Sequence, residues 1–270
     1  MSPDIYYVDK KFDITSFFSS FVFNWSDDFV FSGESHEAWE VVYVSEGCVE
    51  VTEDERIYRL YRGDMVLHAP WEFHRIRSGE GSFPKGMIMS FIANGELPTE
   101  LKNGVFHLND ELFDEYRKTF SLIYTLMHES VNSVYSGLEA TAMLSSFLIH
   151  LSANPSHDLP PLSTASAKEY KKAIFAMTEG VCKNLTLDDI AKICNVSLSY
   201  LKLLFRKHAG ISPKNYYAQL RMRQACEFLK GGMNVTDTAD AMNFSSPNYF
   251  CVFFKRHIGI SPFEYQKRSN

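Results

Sequence analysis

The sequence predicts a mixed two-domain chain. An N-terminal antiparallel β barrel or double-sheet jelly roll carries a helical hairpin, and an all-α domain with two helix-turn-helix units follows. Three observations carry this reading. At 270 residues the chain has room for about two domains. Its charge is divided: residues 1–167 hold 11 Lys+Arg against 25 Asp+Glu, net −14, and residues 168–270 hold 16 against 8, net +8. Finally, the phrase FRKHAGISP at 205–213 returns as FKRHIGISP at 254–262, 49 residues later. A duplicated unit of that size suits a helix-turn-helix.

The β part is read from short runs separated by turns. Residues 40–44, 48–52, 56–60, 65–68, 73–76 and 86–91 are rich in β-branched and aromatic residues, with turns at Gly47, Glu53-Asp54-Glu55 and Arg62-Gly63-Asp64. The Phe-rich segment 12–31 is expected to add a strand or two and a hydrophobic edge. Beyond Pro98 the period changes. Residues 109–128 place acids in the first turn and apolar residues at helical spacing, and 135–151 repeat the spacing. This helical pair is expected to pack on the barrel, to form a dimer contact, or to do both. The expected units are a β and hairpin domain over 1–152 (barrel 1–107, hairpin 108–152), a Pro- and Ser/Thr-rich linker over 153–165, and a helical domain over 166–270.

In the helical domain, caps and stops punctuate the sequence. Thr186 with Asp189 opens helix 187–193, Ser197 opens 198–208, and Gly210 stops it. Ser212-Pro213 opens a long connector to about 229. Asn234 with Asp237 opens 235–241, Ser245 is expected to cap the next helix with Pro247 in its first turn, and Ser261-Pro262 begins a last short helix. The two units span about 185–209 and 234–258. The outward residues of the first reading helix are Ser199, Lys202, Leu203, Arg206 and Lys207. Those of the second are Ser246, Asn248, Cys251, Val252, Lys255 and Arg256, and Arg221 on the connector is a further candidate contact. Early outward residues suit base edges: Asn248 can pair with adenine, and Leu203 and Val252 can meet thymine methyls. The distal Lys and Arg suit phosphate. For Leu203 and Val252, partial burial against neighbouring helices is the competing reading. Double-stranded DNA is therefore the expected partner.

The signature A-x-x-x-N-x-S…Y-F-x-x-x-F-K-R-x-x-G-I-S-P-x-x-Y, within residues 185–265, resembles the DNA-binding domain of AraC/XylS-type bacterial transcriptional regulators. That resemblance implies two recognition helices in successive major-groove segments, activation rather than repression, and contact with RNA polymerase. The chain departs from the family's Y-[LF]-S-R-x-F pattern by carrying Lys202-Leu203 and Cys251-Val252, which implies a different operator. At the other end, His36, Glu40 seven residues before Gly47, then Gly63-Asp64, Pro70 and His74 resemble the cupin pattern. Metal-binding cupins carry H-x-H ahead of the Glu, and here Ala38 interrupts it. His36, Glu40 and His74 still offer a three-ligand set, but no metal and no cofactor is expected. The favoured use is a small-molecule pocket lined by His36, Trp39, Glu40, Tyr43, His68, Trp71 and His74.

The remaining features narrow the class. Cys48, Cys182, Cys194, Cys226 and Cys251 form no CxxC pair, so a reducing cytoplasm is expected. No apolar run is long enough for a membrane span, and the N-terminus lacks the pattern of a signal peptide. No catalytic fingerprint for hydrolysis, phosphate transfer or dinucleotide binding is present. The expected function is a sequence-specific regulator, dimeric and cytoplasmic, that activates transcription in response to a small molecule, with a sugar or carbohydrate metabolite as the expected class. Two alternatives are kept: a ligand-independent regulator whose barrel only dimerises and, more remotely, a cupin-type metal enzyme.

Overall fold

The computed structural model describes residues 11–102, 104–129, 135–154 and 164–269. Eight strands come first: β1 Phe12–Asn24, β2 Trp39–Glu46, β3 Cys48–Glu53, β4 Arg56–Tyr61, β5 Asp64–His68, β6 His74–Ser78, β7 Lys85–Gly95 and β8 Val105–His107. They do not close. They form a five-stranded antiparallel sheet in the order β1-β7-β2-β5-β8 and a three-stranded sheet in the order β4-β3-β6. The expected closed cupin-like or jelly-roll barrel is therefore corrected to two open sheets.

Side-chain alternation explains how the sheets are used. On β2, Trp39, Val41 and Tyr43 join a core with Met65, Leu67, Met89 and Phe91 that packs against the helices α1 Asp110–His128 and α2 Ser136–Ser152. Val42 and Val44 face the other way and share a second core with Val49, Val51, Leu60 and Ile76 of the small sheet. The large sheet is thus a middle layer, buried on both faces, and this is why β2 reads as an almost unbroken apolar run. The helical pair covers its outer face as expected. Asn109 caps α1 by accepting from the Leu112 amide at 2.9 Å, and Asp110 and Glu111 sit in its first turn.

The helical domain holds α3 Ala165–Glu179, α4 Leu187–Cys194, α5 Leu198–His208, α6 Pro213–Lys230, α7 Val235–Ala241, α8 Pro247–Ile258 and α9 Pro262–Ser269. The linker expected over 153–165 lies largely outside the described residues. The duplication is visible in the backbone. Asn195 and Asn243, 48 residues apart, both turn the chain in the left-handed region, at φ 56° and 53°. Asparagine tolerates that conformation best among residues other than glycine. The caps are then 49 apart: Ser197 accepts from the Tyr200 amide at 3.1 Å and Ser246 from the Tyr249 amide at 3.2 Å. The cap of α8 is therefore Ser246 and not the expected Ser245, because the extra residue of the second copy falls before the cap.

Each unit has its own core, and α6 serves both. Tyr216 and Tyr217 of α6 join Tyr170, Ile190, Leu201 and Phe205, whereas Met222, Ala225, Cys226 and Leu229 join Ala239, Met242, Phe250 and Phe254. An 18-residue helix is about 27 Å long, so α6 holds α5 and α8 apart as one rigid spacer.

Candidate nucleic-acid interface and effector cavity

Both reading helices keep their outer faces in solvent. On α5, Ser199, Lys202, Leu203, Arg206 and Lys207 are exposed, while Leu201, Leu204 and Phe205 are buried. On α8, Asn248, Val252, Lys255 and Arg256 are exposed, as is the cap Ser246; Phe250 and Phe254 are buried, and Cys251 is half-buried. Leu203 and Val252 are 56% and 68% exposed, so they are not packed against neighbouring helices. Large apolar side chains left open beside cations are the combination that base-edge contact uses. Basic residues close the last turn of each helix, Arg206 to His208 and Lys255 to His257, where they complement the helix dipole.

Arg221 differs from this set. It is buried, and its guanidinium donates to Asn184 Oδ1 and to the Met242 carbonyl while lying 4.3 Å over the Phe244 ring. It braces the two units and presents no charge to solvent. Arg223, next along α6, reaches across to the β domain and pairs with Asp54 at 2.8 Å; Tyr216 donates to the same carboxylate at 3.0 Å.

The two domains meet through further contacts. Arg75 of β6 donates to the carbonyls of Lys207 and His208 at 3.0 and 3.1 Å, satisfying the C-terminal end of α5. Phe73 meets Tyr216 edge-on at 4.9 Å, and Trp71 meets Tyr265 at 6.3 Å. His208 sits at this junction, its Nε2 3.1 Å from Ser166 Oγ. Burial, aided by the charges of Lys207, Arg75 and Arg77, pushes its imidazole down to about 4. An unfolded histidine titrates near 6.5. Because the folded value is the lower one, this stabilisation is present above about pH 6.5 and is lost as pH falls through about 4. We expect stability to drop by about 1–2 kcal/mol across that window, allowing for solvent screening. His208→Gln should flatten the dependence in urea titrations between pH 4 and 7.

A cavity of about 320 Å³ opens between the two sheets. Its walls are Phe18 and Phe21 of β1, Trp25, Phe29 and Phe31 of the following loop, and Ile76 and Ile88 of the facing strands; Glu34, His36, Glu40, Ser19 and Ser90 supply the polar positions. Phe23, Trp25 and Phe29 stack in series with centroids 4.0 Å apart. The seven expected pocket residues are dispersed. His36 and Glu40 line the cavity, and His74 stands beside them, its Nε2 3.3 Å from Glu40 Oε1. Trp39 and Tyr43 lie on the opposite face of β2, where Tyr43 stacks on Phe113 at 5.2 Å. Trp71 belongs to the domain junction. His68 is fully buried, stacked on His74 at 4.5 Å, and burial together with His74 pushes it down to about 3. Burial raises the Glu40 carboxyl, but His36 and His74 beside it outweigh this and hold it well below the usual carboxylate range. The Phe-rich segment 12–31 was expected as a strand and a hydrophobic edge, not as the wall of a cavity.

Comparison with known proteins agrees with this geometry. Residues 190–268 match the family described as a helix-turn-helix domain. The Msm operon regulatory protein of Streptococcus mutans is 23% identical over 239 residues, covering 83% of this chain and 82% of that protein. The transcriptional activator RhaR of Pectobacterium atrosepticum is 23% identical over 252 residues, covering 88% and 87%. The lactose operon transcription activator of Staphylococcus xylosus is 34% identical over 100 residues, covering 37% and 36%. These matches support the AraC/XylS-type resemblance and leave its cupin-like barrel without support. No helix among the described residues is long and apolar enough to cross a membrane. With its helix-turn-helix domain, the chain is a DNA-binding transcriptional regulator.

Proposed function

We propose that this regulator is a cytoplasmic homodimer that activates transcription when a small molecule, a sugar or carbohydrate metabolite by class, enters the cavity between its sheets. The observation that carries the reading is the cavity itself. It has aromatic faces on which an apolar sugar face can stack, and Glu34, His36, Glu40 and Ser90 at its polar end can bond hydroxyls. The names of the relatives support the class, since they include regulators of sugar operons. Dimerisation supplies the second pair of reading helices that an operator of useful specificity needs, and contact with RNA polymerase converts occupancy into activation.

The route from cavity to DNA is short. β6 carries Ile76 on the cavity wall and Arg75 on the α5 carbonyls. A ligand that shifts β6 therefore shifts the C-terminal end of a reading helix, which is the differential contact that coupling between two sites requires. The test is an operator-binding titration with a panel of candidate sugars, using wild type and Ser19→Trp. The indole at position 19 should fill the cavity and remove the response while basal DNA affinity stays within about twofold. An identical response in both proteins would place the effector elsewhere. No response to any ligand in wild type would leave a ligand-independent regulator.

A further inference from the structure

We propose that Glu34, His36, Glu40 and His74 form a binding site for a divalent cation of the zinc type. The notion that Ala38 removes the needed ligand counts sequence positions, whereas the fold supplies Glu34 from the loop ahead of β2. One donor atom from each of the four residues lies within 4.8 Å of all the others.

The orientation of the imidazoles is the first argument. His36 Nδ1 lies 3.1 Å from the Ala38 carbonyl, and His74 Nδ1 lies 3.1 Å from the Glu72 carbonyl. A carbonyl can only accept, so each Nδ1 carries a proton. In the neutral ring this leaves Nε2 as a lone pair. Both Nε2 atoms are buried and face Glu40 at ion-pair distance without hydrogen-bond alignment. This is the arrangement in which metal-binding histidines are held, with the distal nitrogen tied to a carbonyl and the other free to ligate.

Spacing is the second argument. A tetrahedral ion with bonds of about 2.0–2.2 Å keeps its ligand atoms about 3.3–3.6 Å apart. Here His74 Nε2 is 3.3 Å from Glu40 Oε1, His36 Nε2 is 3.6 Å from Glu40 Oε2, and His36 Nε2 is 3.8 Å from Glu34 Oε1. The pairs have ion-pair distances without hydrogen-bond alignment for Nε2. Two imidazoles and two carboxylates suit zinc and its neighbours among the divalent ions. Glu40 is itself fixed from outside, accepting from Ser90 at 3.0 Å.

The adjacent trio Glu53, His68 and Glu72 is a weaker candidate, since Glu53 is already bonded by Arg56 and Tyr58. Glu34, His36 and Glu40 also line the proposed sugar cavity, but the metal titration below needs no sugar.

Purified full-length protein, stripped with chelator, should be titrated with Zn²⁺ against a chromophoric competitor, and then with Co²⁺ while visible absorption is followed. Wild type should take up one tight equivalent, with the ligand-field bands of a four-coordinate cobalt site and a rise in Tm. His36→Gln with His74→Gln should lose that equivalent and the bands, leaving only weak uptake by the cysteines. Glu34→Gln alters a half-exposed side chain and so tests the site without a folding risk; it should weaken Zn²⁺ by about tenfold or more. Absence of a tight equivalent in wild type, or tight binding unchanged in both variants, would overturn the proposal. The first result would mean that the imidazoles are simply protonated partners of Glu40.

Discussion

Changing Arg206, Lys207, Lys255 and Arg256 together to glutamine should lower operator affinity by at least about a hundredfold and reduce the slope of log affinity against log salt by about 3–4. All four side chains are exposed on the outer faces of α5 and α8, so the fold should be retained. Each neutralised phosphate contact contributes about 0.9 to that slope, which makes the slope a count of contacts. Filter binding between 50 and 300 mM salt, with far-UV circular dichroism as the folding control, measures both. A slope unchanged in the fourfold variant would show that these cations do not face phosphate. Arg221→Met is the contrasting control. Its guanidinium is bonded inside the domain, so it should cost about 2–4 kcal/mol of stability and leave the slope of the folded protein as it was.

Replacing Phe254 with alanine should destabilise the second unit by about 3–5 kcal/mol. The ring is fully buried among Phe250, Ala239, Met242 and Leu229 and meets Tyr265 edge-on at 5.7 Å. Against a total stability of about 5–15 kcal/mol, the loss is enough to leave α8 poorly formed at 37 °C. Operator affinity should fall towards that of a single reading helix, while the first unit, whose core is built on Tyr170 and Phe205, remains folded. Val252→Ala, two residues away but exposed, should change stability by less than about 0.5 kcal/mol. Urea denaturation of the three proteins makes the comparison. Equal losses at 252 and 254 would contradict the assignment of inner and outer faces.

The helical domain was legible because its signals are local. Thr186, Ser197, Ser212 and Asn234 cap where a cap was expected, and a cap bonds an amide only three residues away. The error at Ser245 and Ser246 is of one residue, at the insertion between the two copies. The β domain was legible as strands but not as an architecture. Whether strands close into a barrel depends on partners 40 to 80 residues distant, such as Phe17 against Phe91, and no local signal encodes that. The seven expected pocket residues are dispersed for a related reason. Trp39, Glu40 and Tyr43 are close in sequence, but alternation sends Trp39 and Tyr43 to the helical layer and Glu40 to the space between the sheets. A middle sheet buried on both faces has no polar face to show which side is which. Arg221 was misplaced because a buried arginine and a phosphate-binding arginine look alike until their partners are known.

α5 and α8 of one chain should each read their own stretch of DNA, through residues upstream of the repeated phrase. Operator selection from a random library, run in parallel with wild type, Lys202→Ala and Asn248→Ala, measures this. Lys202→Ala should relax base preference in one block and Asn248→Ala in a second block about one helical turn away, each by about 1–3 kcal/mol. Uniform weakening across all sequences in both variants, with the selected operator unchanged, would contradict it.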